Sequence, residues 1–349
     1  MVAIMLRTMS RIGTRTLKSL LLLVEMVACI GMTRSAAAQQ PKEPATNGGA
    51  VQTEMRNVVY HFTDQVSVHI LGLDGKLVPQ KEGNLPIFDD PRSFTLAINS
   101  ADISMRTDSL THVLNQYVFS APDSPIKDIA VAIQGSLLKV KGKLRSKGDV
   151  PFETEGNVGA TQDGQIRIQA RKIKAVKVPV KGLMDLLGLK LANLINTKGV
   201  AGVRVDGDNL VLDPQQIFPP PHIQGWVTGV RLGNGEIVLT FGVRNKPEEV
   251  HGTGNYMAYH GAELRFGKLT MSDTDLILID MNAKDPFDFY LDHYKEQLVA
   301  GYTKETLNFG LQVYMRDYNK LAKQAPKKTS AYRASPTFNR KGGFARPQI

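Results

Sequence analysis

The residues best suited to chemistry are six aspartates in one short stretch: Asp273, Asp275, Asp280, Asp285, Asp288 and Asp292. Carboxylates together with backbone carbonyls can hold a hard cation such as calcium. Their settings argue for a plainer role. Asp273 and Asp275 fall at a turn between strand-like runs, Asp280 ends such a run, and Asp285 precedes Pro286. Short acidic side chains suit turns because they hydrogen-bond the nearby backbone. His251 and His260 flank a glycine-rich stretch without the spacing of helical metal ligands. The chain has no Gly-x-Ser-x-Gly elbow, Walker loop, His-Glu-x-x-His or Gly-x-Gly-x-x-Gly. Neither a metal nor another cofactor is expected, and the leading expectation is a protein without catalysis. A hydrolase of envelope lipid or glycan, using Asp273, Asp280 and His260, is the third-ranked reading.

The charge sits at the two ends. Of 349 residues, 43 are Lys or Arg and 33 are Asp or Glu, a formal net charge of +10. Residues 1–38 read as a signal peptide: a basic start (Arg7, Arg11, Arg15, Lys18), an apolar run from Leu20 to Met32, and Ala36-Ala37-Ala38 as the cleavage pattern. From Ala322 to Ile349 there are seven basic residues and no acid. That composition predicts a disordered basic tail over 321–349, able to touch an anionic membrane surface. Between the two ends the chain is near neutral, so no nucleic-acid partner is expected. The one cysteine, Cys29, follows Met26-Val27-Ala28 in a loose lipobox. The expected location is therefore exported, periplasmic or secreted, with a lipoprotein anchored through Cys29 as the alternative.

The rest of the chain reads as strands around two helices. A polar linker over 39–56 leads into alternating runs at Val58–Phe62 and Val66–Ile70, with a break at Gly72 and a turn at Asp74-Gly75. Thr107 or Asp108 can cap a helix whose stripe is Leu110, Val113, Leu114, Tyr117 and Val118. A β meander follows through Ile133, Val140, Phe152 and Ile168, with polar residues on the opposite face. A second, more apolar helix is predicted from Pro179 to Asn196, and further strands pair around Asn234-Gly235. A polar boundary at 245–255 precedes a β-rich segment over 256–320. This dry pattern fits a filled core equally with an apolar slot.

A resemblance favours the slot. Ser124–Ile129, Val140–Leu144, Val150–Glu155, Asp163–Ile166, Gly182–Gly188, Val205–Pro214 and Pro219–Gly225 follow one another in order. In that order and texture, residues 101–242 resemble bacterial periplasmic lipid-binding families of the tubular lipid-binding (TULIP, BPI-like) type. The segment from Tyr256 and the basic tail depart from the pattern. The resemblance implies an α+β fold over 57–245, a strongly curved antiparallel β-sheet wrapping one or two amphipathic helices. It also implies a hydrophobic groove for a lipid or an acyl-chain-containing envelope precursor. The groove-facing residues expected are Leu110, Val113, Leu114 and Tyr117 on the first helix, and Leu183, Leu187, Leu191 and Leu194 on the second. Ile133, Val140, Phe152 and Ile168 are expected on the sheet side. The alternative is an envelope interaction module with a filled core, its partner docked on 256–320. Oligomeric state is not legible from the pattern.

Overall fold

A computed structural model describes residues 49–146, 148–175, 197, 200–243, 254–307 and 310–321. The signal peptide, the helix expected over 179–196, the 245–253 stretch and the basic tail from Ala322 lie outside the described residues.

Alternation begins earlier than the expected linker allows. Strand β1 (Val51–Thr63) buries Val51, Thr53 and Met55 on one face. Thr53 occupies an inward position, so the polar composition of this stretch conceals its period of two. The chain then turns at Asp64-Gln65, where Thr63 Oγ1 accepts from the Gln65 and Val66 amides at 3.3 and 3.1 Å. It returns as β2 (Val66–Pro79), which pairs antiparallel with both β1 and β3 (Phe94–Arg106). The expected turn at Asp74-Gly75 is a correction. The strand runs straight through it, with bulges at Ile70/Gly72 and Asp74/Gly75. Glycine is needed at 75 for closeness, since a Cβ there would lie 2.5 Å from the Ala97 carbonyl oxygen.

Helix α1 (Thr107–Val113) continues as a π-turn over Leu114–Val118. Its N-cap is Arg106, with no side-chain cap bond, so neither Thr107 nor Asp108 caps it as expected. The Asp108 carboxylate instead accepts from the adjacent Ser109 amide at 2.8 Å. Next come β4 (Ile126–Gln134), β5 (Leu137–Ser146), β6 (Gly148–Ala160), β7 (Ile166–Ala175), β8 (Val203–Asp206) and β9 (Asn209–Leu212). They form a second, wholly antiparallel sheet in the order β4-β5-β6-β7-β9-β8. Its wet face carries Lys139–Glu153 at 2.6 Å and Lys143–Asp128 at 2.6 Å, the alternate residues of the meander.

After the short helix α2 (Pro214–Ile217) the chain re-enters the first sheet as β10 (His222–Gln224), β11 (Val227–Gly233) and β12 (Glu236–Phe241). The β11–β12 turn is Asn234-Gly235, both residues at positive φ, as a two-residue hairpin requires. The C-terminal segment adds β13 (Tyr256–Gly261), the separate hairpin of β14 (Leu264–Phe266) and β15 (Leu269–Met271), then β16 (Thr274–Asp280) and β17 (Phe287–Tyr290). Helix α3 (Tyr294–Val299), β18 (Tyr302–Glu305), β19 (Leu311–Met315) and α4 (Tyr318–Leu321) complete it. The large sheet runs β11-β12-β3-β2-β1-β13-β16-β19-β18, with β10 beside β3 and β17 beside β1.

The protein is thus α+β and mostly strand, built on open sheets that do not close into a barrel. Most pairs are antiparallel; β1–β17, β3–β10 and β16–β19 are parallel. The texture change near 245–255 does not separate sheets, because β13 pairs directly with β1. The described residues all belong to one compact unit, Ala45–Ile349.

Candidate functional site

The dry faces of the two sheets meet across one core, and they do not fill it. A cavity of about 110 Å³ remains between them. Local structure explains each wall. Val68, Ile70 and Leu73 project from β2, and Leu96, Ile103 and Met105 from β3. Ile237, Leu239 and Phe241 are alternate residues of β12 and so share one face. The second sheet supplies Leu138, Val158, Ile166, Ile168 and Leu212.

One end is closed by α2 and the chain after it. Pro214 opens this helix, and the Asp213 side chain caps it by accepting from the Gln215 amide at 3.0 Å. Ile217, Phe218, Pro219, Pro221 and Ile223 then present apolar groups to the cavity. Every described residue of the wall is apolar.

Beside this cavity lies a more open, polar recess of about 460 Å³. Phe62 and Pro219 belong to both walls. The recess also holds Asp89, Asp90 and Arg92 from the β2–β3 loop, Tyr117 from the π-turn, and Asp292, Tyr294 and Lys295 at the start of α3. The loop is held in place by Phe88, whose ring meets those of Tyr259, Phe266, Phe289 and Tyr294 edge-on at 4.8–6.1 Å. Tyr294 is buried and its hydroxyl donates to Asp89 Oδ2 at 2.8 Å. Burial and that carboxylate together hold the phenol well above its usual range.

Set beside known proteins, the chain matches no family model, no curated protein and no solved structure.

The expected lining residues scatter. Leu110 and Ile168 are in the cavity wall. Val113 is fully buried against Val66 and Met105, Leu114 is half-buried on the core, and Tyr117 faces the polar recess. Ile133 and Val140 pack on the core half-buried, and Phe152 is buried within it. Leu183, Leu187, Leu191 and Leu194 lie outside the described residues. Sequence reasoning missed the walls from β2, β3 and β12. Their alternation marks a dry face, but only topology sets that face opposite the second sheet.

Of the hydrolase candidates, His260 and Asp280 lie apart, whereas Asp280 and Asp285 meet at Asn255. His260 Nδ1 is 3.1 Å from Asp275 Oδ1, across the β13–β16 pair. Asp280 lies five residues further along β16, about 17 Å away at strand rise. There it accepts from Asn255 Nδ2 at 2.9 Å. Asp285 pairs with Lys320, and Asp288 Oδ1 lies 2.8 Å from His61 Nε2. Among the described residues no group of three or more His, Cys, Asp or Glu is placed to hold a metal. No described helix is long and apolar enough to cross a membrane.

Proposed function

We propose that the protein is an exported envelope carrier or sensor, holding the hydrocarbon of a lipid or acyl-chain-containing precursor between its sheets without catalysis. The observation that supports this reading is that the described residues of the cavity wall are all apolar. An unfilled volume of 110 Å³ costs the fold about 2–3 kcal/mol, at roughly 24 cal/mol per Å³. A hydrocarbon that enters recovers that loss and adds about 0.8 kcal/mol for each methylene it buries. Apolar cavities of around 150 Å³ stay dry and take up a molecule the size of benzene. A cavity of this size receives the end of one hydrocarbon chain. The resemblance of residues 101–242 to tubular lipid-binding families points the same way.

The test is uptake of dodecanoic acid by the purified protein, measured by native mass spectrometry. A one-to-one adduct is expected. Ile168→Phe should abolish it while leaving the melting temperature unchanged or raised, because the ring occupies the cavity. A wild-type protein that takes up no dodecanoic acid overturns the reading and favours a filled-core interaction module.

A further inference from the structure

The large sheet ends at β18, which pairs with β19 on one side and with no strand among the described residues on the other. Tyr302, Thr303, Lys304 and Glu305 are all exposed. Pairing with β19 fixes which backbone groups are left over. The Thr306 amide donates to the Gly310 carbonyl at 2.8 Å, and Lys304 and Tyr302 oppose Gln312 and Tyr314 in step with it. Bonded and non-bonded pairs alternate along an antiparallel ladder. Lys304 and Tyr302 therefore bond to β19, and the N–H and C=O groups of Thr303 and Glu305 point outward. Open edges are commonly blunted by a lysine, a proline, a bulge or a covering loop. The one lysine here is drawn onto the sheet face instead. Its Nζ lies 5.5 Å from the Tyr302 ring and 4.9 Å from that of Tyr314, two rings stacked 4.6 Å apart. Flanking the edge, one beyond each end, are Val299 and Leu307, the most exposed large apolar side chains among the described residues.

We infer that this edge pairs with the same edge of a second copy, antiparallel about a two-fold axis at Thr303, so that the large sheet continues from one copy into the other. Self-complementarity selects both the occupant and the register. Outward groups bond only to outward groups, so the axis falls on a residue rather than between two. An axis at Lys304 would set lysine against lysine, which is unfavourable. At Tyr302 it would spend Thr303 on Gly301, whose amide already donates to the Leu298 carbonyl at 3.1 Å, and set Glu305 against Val299. At Thr303 every exposed group finds a match. The two threonines exchange both backbone bonds, and the Glu305 amide reaches the Gly301 carbonyl of the other copy. Lys304 lies against the other copy's Tyr302, extending the contact it already makes with its own tyrosines. Val299 comes level with Leu307 of the other copy, and the two exposed apolar side chains cover each other. None of these residues lines the apolar cavity.

Sedimentation equilibrium of the purified protein tests the pairing. A monomer–dimer equilibrium is expected, with a dissociation constant of about 10–100 µM for an interface this small. Thr303→Pro removes an outward N–H and leaves the bonds to β19 untouched. It should weaken the dimer about tenfold at an unchanged urea midpoint. Cysteine cross-linking reads the register whether or not the proline variant folds. In a Cys29→Ser background, Thr303→Cys should oxidise to a linked dimer, because the axis sets the two Cα atoms about 5.5 Å apart. Glu305→Cys should stay unlinked, since its two copies are offset by four positions, about 13 Å. A protein that is monomeric at every concentration overturns the proposal. So does a dimer that survives Thr303→Pro, or one that links as readily through Glu305→Cys as through Thr303→Cys.

Discussion

The indole of Trp226 lies directly against Gly164, so close that a Cβ on the glycine would sit 2.8 Å from the ring. Gly164 is in the β6–β7 turn of the second sheet, and Trp226 precedes β11 in the first. The Val227 amide donates to the Gly164 carbonyl at 3.2 Å beside this contact. Here one sheet is fastened to the other. Gly164→Ala meets both the ring and a positive φ of 76°, and should cost about 2 kcal/mol. Urea unfolding checks the cost.

Asp280 should give the protein an acid-side gain in stability. Its carboxyl is pushed up from 3.8 to about 6, chiefly by burial, with Asp317 and Asp285 adding like charge. The folded state thus binds the proton more tightly than the unfolded chain. This contribution is full below about pH 4 and lost as pH rises through 6. His69 opposes it, because burial lowers its pKa and so favours the folded state at higher pH. The Asp280 share is isolated by subtracting the stability of Asp280→Asn, which retains an oxygen for Asn255. That difference curve should slope downward between pH 4 and 6; a flat one would refute the assignment.

Gln297 is fully buried and ties three backbone groups together. Its Oε1 accepts from the Tyr290 amide at 2.9 Å, and its Nε2 donates to the Asp288 and Arg316 carbonyls at 2.9 and 2.8 Å. Gln297→Leu keeps the volume and strands all three groups, so a loss of about 3 kcal/mol is expected. Guanidinium denaturation measures it.

Asn115 seals the free edge of the second sheet. Its side chain donates to the Ile129 carbonyl at 2.8 Å and accepts from the Ile129 amide at 2.9 Å, mimicking a neighbouring strand. Asn115→Ala should cost about 1–2 kcal/mol. Hydrogen exchange at the Ile129 amide should accelerate far more than at Leu138 or Val140 on β5, which lies inside the sheet.

Much of the strand content was legible because a half-buried strand writes its dry face every second residue. The β4–β7 meander, the Asn234-Gly235 hairpin and the break at Gly72 all announce themselves in this way. Where polar residues hold inward positions, as Thr53 does in β1, the same rule hides a strand. Where a glycine serves closeness, as Gly75 does against Ala97, an apparent turn is a bulge.

The local pattern by itself determined the dry faces of the β4–β7 meander, the hairpin turn at Asn234-Gly235, and that Asp280 ends a strand. Tertiary structure alone decided which dry faces oppose one another. Ile168 and Leu239 are 71 positions apart in the chain, on different sheets, and they share a cavity wall only because β12 returns to pair with β3. The recess was likewise invisible, since Asp89 and Arg92 come from the β2–β3 loop and Asp292 and Lys295 from the start of α3, drawn together by Phe88, Tyr294 and their ring contact. Periodicity records the environment of each side chain, whereas a cavity is a property of the space between elements. No residue's own pattern encodes that space.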